Sequence, residues 1–197
     1  PDTEWLDGIE HCASVWDVLA DPGKVRDEVI VYDGTGRHEA VSCALHLAEK
    51  GREVHLVTLD DNLALEMEYP SRVIYRKRLA QNGARFTIDH SLTQVRPHGN
   101  RLVATFKHEL TGQTMELTAS QVVVENGTVP VDEVFKALEA RAANRGITDI
   151  DALLAKRPQL AGVPPTTGFE LHRIGDAVTS RNVHGAIYDA MRLCLAF

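Results

Sequence analysis

Val29-Ile30-Val31-Tyr32-Asp33-Gly34-Thr35-Gly36 decides the fold. Val29 to Tyr32 is a short apolar, β-branched run, the pattern of a strand buried on both faces. The Gly-bearing stretch Asp33 to Gly36 is a loop. A helical pattern follows, with Ala40, Ala44 and Ala48 on one stripe and Val41 and Leu45 beside it. Lys50-Gly51 ends the helix, glycine being suited to the left-handed cap. Val54-His55-Leu56-Val57 then reads as a second strand. Strand, Gly loop, helix, turn and strand in about 30 residues form a βαβ unit, whose two strands must run parallel.

Outward from this unit, Pro70 opens a helix at a position where its missing N–H is harmless. Val73, Ile74 and Leu79 supply its apolar side and Gly83 stops it. A third strand is expected at residues 85–88. Runs at 93–96, 102–107 and 114–117 are separated by His98-Gly99-Asn100 and Thr111-Gly112, which are hairpin signals and mark an antiparallel insert. Gln121-Val122-Val123-Val124 returns to the buried-strand pattern. Beyond Pro130 the pattern predicts short helices around Val134, Phe135 and Leu138 and around Ile150, Leu153 and Leu154, and a Pro- and Gly-rich loop at 158–168. A final strand is expected at 170–174, running into Gly175-Asp176. The last helix carries Val183, Ala186, Ile187, Ala190, Met191, Cys194 and Leu195 on one face. The fold class is α/β: a Rossmann-like domain with an antiparallel β insert, followed by the closing part of a second domain.

The Gly loop departs from a dinucleotide fingerprint. G-x-G-x-x-G needs glycine so that the backbone can approach a pyrophosphate and the helix can pack on the strand. Aligned on the strand, its three positions fall on Asp33, Thr35 and His38. Shifted by one, Gly34 and Gly36 fit but Glu39 takes the third place. A carboxylate there repels a diphosphate by about 1 kcal/mol at 4 Å even in water. The second strand ends in Thr58, where an acid would hold ribose hydroxyls, and Asp60 and Asp61 follow slightly late. The loop has either lost its nucleotide or takes a different ligand. The candidate residues here are Gly34, Thr35, Gly36 and Thr58.

The bulk properties are those of an ordinary globular chain. Of 197 residues, 44% are hydrophobic and 25% charged, and the formal net charge of -7 argues against nucleic acid or an anionic membrane as partner. No apolar run approaches the roughly 18–20 residues of a membrane span. The opening Pro1-Asp2-Thr3-Glu4 has no basic stretch ahead of an apolar one, so no secretory leader is expected. Cys12, Cys43 and Cys194 are too scattered for a disulfide framework or a metal cluster, and a reducing, cytoplasmic setting suits them. Cys43 and Cys194 are expected in the core. The nine histidines lack H-x-x-x-H or H-E-x-x-H spacing, so no metal ligand is expected among them. Arg72, Arg76, Lys77 and Arg78 read as a solvated helix face, and Trp5 and Trp16 as packing against the sheet. Arg181 and His184 flank the start of the last helix, where they either meet a cofactor phosphate or serve a local capping role.

Two late motifs belong together. Val122-Val123-Val124-Glu125-Asn126-Gly127-Thr128-Val129-Pro130 is a buried strand ending in a Gly turn and a Pro. Arg173-Ile174-Gly175-Asp176-Ala177-Val178 ends in Gly-Asp ahead of a long helix. With Val31-Tyr32-Asp33, Glu68-Tyr69-Pro70, Asn100-Arg101-Leu102-Val103-Ala104-Thr105 and the stretch from Ser180 to Arg192, they carry a family resemblance over nearly the whole chain. It resembles the C-terminal part of the NADH:flavin oxidoreductases related to 2,4-dienoyl-CoA reductase and trimethylamine dehydrogenase. Within that class it is most similar to the N-methyl amine demethylases, which act on dimethylglycine or N-methylproline.

The resemblance implies a crossover at Gly127, where the chain re-enters a flavin domain, and an Asp176 carboxylate against the flavin ribityl hydroxyls, with Gly175 and Arg181 beside it. A carboxylate suits that place because it accepts hydrogen bonds from two hydroxyls; the alternative for Asp176 is a loop residue capping the last helix. It implies a lead-in segment at 1–23, an NAD(P)-binding-like domain at 24–128 and the end of a flavin- or ADP-binding domain at 129–197. FAD or ADP, and NAD(P) as a second candidate, would bind in this portion. FMN on a TIM barrel and a [4Fe–4S] centre would belong to an N-terminal portion of the same protein, the expected partner. No catalytic residue is then expected in the chain itself. The competing readings are a free-standing nucleotide or sensor module and an interaction scaffold that binds nothing.

Overall fold

The computed structural model describes residues 6–159 and 168–195. The chain divides into two units, Pro1–Gly127 and Thr128–Phe197. In the first, β1 (Ala13–Ser14), β2 (Glu28–Asp33), β3 (Glu53–Thr58), β4 (Arg85–Thr87) and β8 (Gln121–Glu125) form one parallel sheet in the order β1-β8-β2-β3-β4. Between β4 and β8 the chain builds a separate antiparallel sheet of β5 (His90–His98), β6 (Arg101–His108) and β7 (Thr114–Ala119). Strand order reverses at β2, which has β3 on one side and β8 on the other, so a crevice opens at the carboxyl ends of β2 and β8.

Alternation along the strands sorts the core into two layers. Val29 and Val31 of β2, Leu56 of β3 and Val123 of β8 pack against Val15 and Val18 of α1 (Val15–Ala20), Leu79 of α3 (Tyr69–Gln81) and the small residues Ala40, Cys43, Ala44 and Ala48 of α2 (His38–Glu49). Ile30, Tyr32, Val57, Val122 and Val124 point the other way, onto Leu92, Val95, Ala104 and Phe106 of the insert. The alanine stripe lets α2 lie close over β2. Gly51, at φ 77°, ends α2, with its N–H donating to Ala48 O at 3.0 Å.

The N-terminal stretch differs from expectation. Trp16 is 52% exposed rather than packed on the sheet, because α1 turns Val15 and Val18 inward instead. Ser14 and Asp17 start that helix with a reciprocal cap: Asp17 N–H donates to Ser14 Oγ at 3.1 Å, and Ser14 N–H to Asp17 Oδ2 at 3.0 Å. Trp5 and most of the loop at 158–168 lie outside the described residues.

The second unit contains α4 (Glu133–Leu138), α5 (Ile150–Leu154) and α6 (Val183–Cys194). Residues 170–174 are not a strand, a correction with a clear cause: among the described residues of this unit no strand lies alongside to complete a ladder. One side-chain amide replaces a rung. Leu171 N–H donates to Asn144 Oδ1 at 2.9 Å, and Asn144 Nδ2 donates to Leu171 O at 2.8 Å. Cys194 is exposed, not core, and the apolar face of α6 is open to solvent, Val183 at 75% and Ile187 at 63%. Among the described residues of the unit, only Ala142 and Ala152 are buried apolar side chains.

Candidate functional site

The carboxyl edge of the parallel sheet brings Gly34, Thr35, Gly36, Thr58 and Gly127 together. Gly34 must be glycine here: its N–H donates to Glu125 O at 2.7 Å, and a Cβ would lie 2.7 Å from Asn126 Oδ1 and 3.0 Å from Glu125 O. The β2 and β8 ends are thereby pinned to one another. Gly127 lies against Thr35, whose Cγ2 would be 3.5 Å from a Cβ added to the glycine. Gly36 has φ 67°, and a Cβ on it would meet Asp60 Oδ2 at 2.5 Å.

Asp33 is the residue that sets the chemistry of this loop. It ends β2 fully buried, and its Oδ1 accepts the N–H of Thr35 at 3.2 Å and of Gly36 at 2.8 Å. These are the amides a phosphate would use at such a loop. The chain's own carboxylate holds them instead. Oδ2 has no hydrogen-bond partner among the described residues. Burial pushes the Asp33 carboxyl up to about 6, against the two amide bonds that favour its charged form, with Asp60 and Glu39 raising it further. Burial also raises Glu125, whose Oε1 accepts Gly127 N–H at 2.8 Å, and Asp60.

The segment after β3 covers the loop. Glu66 N–H donates to Gly36 O at 2.8 Å, and Leu63 and Ala64 are buried. Thr58 is buried too, its hydroxyl accepting Asp60 N–H at 3.2 Å, so it closes its own turn. Asp33, Glu39, Asp60 and Glu125 therefore surround a loop whose amides are already satisfied, an arrangement that does not fit a diphosphate. Of these, Asp33 and Glu39 were legible as misplaced acids. The Asp33 cap itself is signalled by Asp-Gly-Thr-Gly, an aspartate bonding to amides two and three residues on. Glu125 and Glu66 carry no comparable signal.

Gly175, Asp176 and Arg181 lie in the other unit. Gly175, at φ 57°, packs on α6: a Cβ would sit 3.0 Å from that of Ala186, and its N–H donates to Asp189 Oδ2 at 3.1 Å. Arg181 pairs with the same Asp189 carboxylate rather than capping a helix. The cap of α6 is Asn182, whose Oδ1 accepts Gly185 N–H at 2.8 Å. Asp176 is therefore not that cap, and its carboxylate is exposed. Among the described residues there is no cluster of His, Cys, Asp or Glu able to hold a metal, and no helix long and apolar enough to cross a membrane.

Known proteins share both the fold and the sequence. The chain is 39% identical over its whole length to a multifunctional alkene reductase/demethylase OYE of Caballeronia cordobensis, and covers 29% of that protein. It is 37% identical over 93% of its length to an N,N-dimethylglycine/sarcosine dehydrogenase of Chromohalobacter salexigens, covering 27% of it. It thus spans under a third of the length of these curated relatives. Histamine dehydrogenase from Rhizobium sp. 4-9 has the same fold over 95% of this chain and 26% of its own, with a TM-score of 0.71 at 19% identity. These relatives bear out the resemblance to flavin-linked reductases and demethylases. Residues 36–160 match one family directly, and with a parallel sheet, an antiparallel insert and a Gly loop at the switch point, the chain belongs to the pyridine nucleotide-disulphide oxidoreductase family.

Proposed function

We propose that this chain is the nucleotide-domain portion of a flavin-dependent oxidoreductase of the amine-demethylase or NADH:flavin oxidoreductase type, and that it serves structure and cofactor placement rather than hydride chemistry. The observation that carries the reading is the unit Thr128–Phe197. Among its described residues only two alanines are buried apolar side chains, while α6 presents Val183, Ile187, Met191 and Leu195 to solvent. A helix with so regular an apolar face gains stability only by packing against something. We assign that surface to the rest of a flavin- or ADP-binding domain, with residues 24–128 as the NAD(P)-like domain and 129–197 as the closing part of the flavin domain. A TIM-barrel portion carrying FMN and a [4Fe–4S] centre would be the further partner, in a reducing cytoplasm.

The two candidate cofactor sites fare differently. An exposed Asp176 carboxylate next to a tightly packed Gly175 fits a ligand that offers hydroxyls, as the ribityl chain of a flavin does. A bound flavin would supply the electron acceptor; Asp176 would orient it, Gly175 would let α6 come close, and Arg181 would hold Asp189 in place. The loop at Gly34–Gly36 does not fit the diphosphate of NAD(P), because Asp33 holds its amides. A second reading, a binding module with a degenerate site, draws on that same loop.

Expression of the 197-residue chain alone and of the natural open reading frame distinguishes them. The isolated chain is expected to be colourless and without NADH oxidation, and the natural protein to carry flavin that Asp176→Ala loosens at least tenfold. Flavin retained undiminished by Asp176→Ala would remove the assignment of that carboxylate. Flavin absorbance in the isolated chain would remove the reading of an incomplete domain.

A further inference from the structure

The opposite edge of the parallel sheet, where the chain enters β2 and β8, holds a cavity of about 650 Å³, within the range of small-molecule sites. Lys24 and Arg26 reach it from the segment before β2, Arg101 from the β5–β6 hairpin, and His11 from the N-terminal stretch. The lining contains no carboxylate, in a chain whose net charge is -7. Lys24 Nζ touches Asp21 at 3.0 Å, with its side chain 85% exposed, and Arg101 pairs with Glu28 and donates to Thr118 O at 3.2 Å. Among the described residues no carboxylate lies within ion-pair distance of the Arg26 guanidinium; its backbone N–H is fixed by Gln121 Oε1 at 3.0 Å. The hairpin turn between His98 and Arg101 adds a stretch of open backbone: Gly99 has φ 61°, and a Cβ there would meet nothing within 4 Å.

We propose that this cavity binds a diphosphate-type anion. Lys24 and Arg26 from the segment before β2 and Arg101 from the hairpin line one space, two arginine forks and an ammonium, which suits an anion with several oxygens spread over more than one phosphorus. At about 650 Å³ the cavity has room for an anion larger than a single phosphate. No Phe, Tyr or Trp lines it, so nothing is present to stack a base, and recognition ends at the phosphates. The site is separate from the acidic Gly loop at the other end of the strands, and it stands whether or not Asp176 holds a flavin.

The test is calorimetric titration of the natural full-length protein at low ionic strength, using inorganic pyrophosphate and, separately, ADP. Pyrophosphate is expected to bind with a sub-millimolar dissociation constant. ADP should bind here no more tightly, since only its diphosphate is recognised. The double variant Lys24→Gln/Arg26→Gln removes two exposed charges and should weaken pyrophosphate at least fivefold, by an order-of-magnitude reckoning of two charges at contact distance in water. Lys77→Gln, on an exposed face of α3, should change nothing. Equal melting temperatures without ligand show that the variants fold; should the double variant not fold, Arg26→Gln alone must weaken binding at least twofold. A pyrophosphate titration without saturating heat overturns the proposal, as does weakening below these factors. ADP binding that the variant leaves intact while pyrophosphate is silent places any phosphate recognition elsewhere and overturns it equally.

Discussion

Asp33→Asn should stabilise the protein above neutral pH and do nothing for it near pH 4. The carboxyl moves from an ordinary 3.8 to about 6 on folding because it is fully buried at the end of β2. A raised carboxylate contributes stability that is fully present below its unfolded value of 3.8 and is lost as pH rises through about 6. The difference of roughly two pH units corresponds to about 3 kcal/mol at pH 7 to 8, at about 1.4 kcal/mol per tenfold. Asparagine keeps an acceptor for the Thr35 and Gly36 amides and removes the charge, so it imitates the protonated acid. Its amide nitrogen takes the place of Oδ2, which has no hydrogen-bond partner among the described residues, and puts a neutral group where Asp60 and Glu39 raise the Asp33 pKa electrostatically. Urea unfolding of both proteins from pH 4 to 8 reads the effect. The gap between variant and parent should open between about pH 4 and 6, reach roughly 2–3 kcal/mol in favour of asparagine, and then stay level. Glu125 titrates in both proteins, and its coupling to Asp33 broadens the transition without reversing its sign. A gap that does not change with pH would refute the reasoning, because it would mean that Asp33 has the same proton affinity folded and unfolded.

Other outcomes follow from the same geometry. NADH and NADPH should bind the Gly34–Gly36 loop no better than about millimolar, and calorimetry showing micromolar binding at this loop would contradict the assignment of its amides to Asp33. Replacing Asp33, Thr35 and His38 by glycine should raise that affinity, since it frees two amides and removes a charge. Gly36→Ala should cost about 1–3 kcal/mol, read as a lower melting temperature, from φ 67° and the 2.5 Å approach of Asp60. Phe106→Ala should cost about 3–5 kcal/mol in urea unfolding, since the ring is fully buried between the insert and Tyr32, 6.2 Å away between centroids.

Where the local pattern alone specifies an element, the sequence was a sufficient guide. The β2–α2–β3 unit was legible because Val29 to Tyr32 carries an unbroken apolar run and Ala40, Ala44 and Ala48 recur at helical spacing, although β8, α1, α3 and the insert complete its packing. The hairpins were legible from Gly99 and Gly112, which take left-handed conformations at 61° and 71°. At the site, the misfit with a dinucleotide loop could be read from Asp33, Thr35 and His38, and the turn of Asp33 onto its own loop was readable in principle from Asp-Gly-Thr-Gly. That Glu66 closes over Gly36 depends on where residues 59–67 run after β3, which no local pattern encodes. The Ser14–Asp17 cap was readable in principle, as serine followed three residues later by an acid, and it explains why α1 begins where Trp16 is left outward.

The expectation for residues 170–174 failed for a different reason, and the failure is informative. A short run holding Leu171 and Ile174 allows a strand; it does not supply the neighbour that makes it one, and an unpaired strand gains no ladder hydrogen bonds. In this chain Asn144 supplies a single amide in place of that neighbour, bonding Leu171 on both its N–H and its C=O. The same logic applies to α6. Its helical period was read correctly, yet the face that the period marks is exposed at Val183, Ile187, Met191 and Leu195. The proposed reading of an incomplete flavin domain assigns one cause to both the unpaired segment at 170–174 and the uncovered face of α6: the surfaces they would meet lie in other parts of the folded protein. Relatives more than three times as long as this chain have room for such parts.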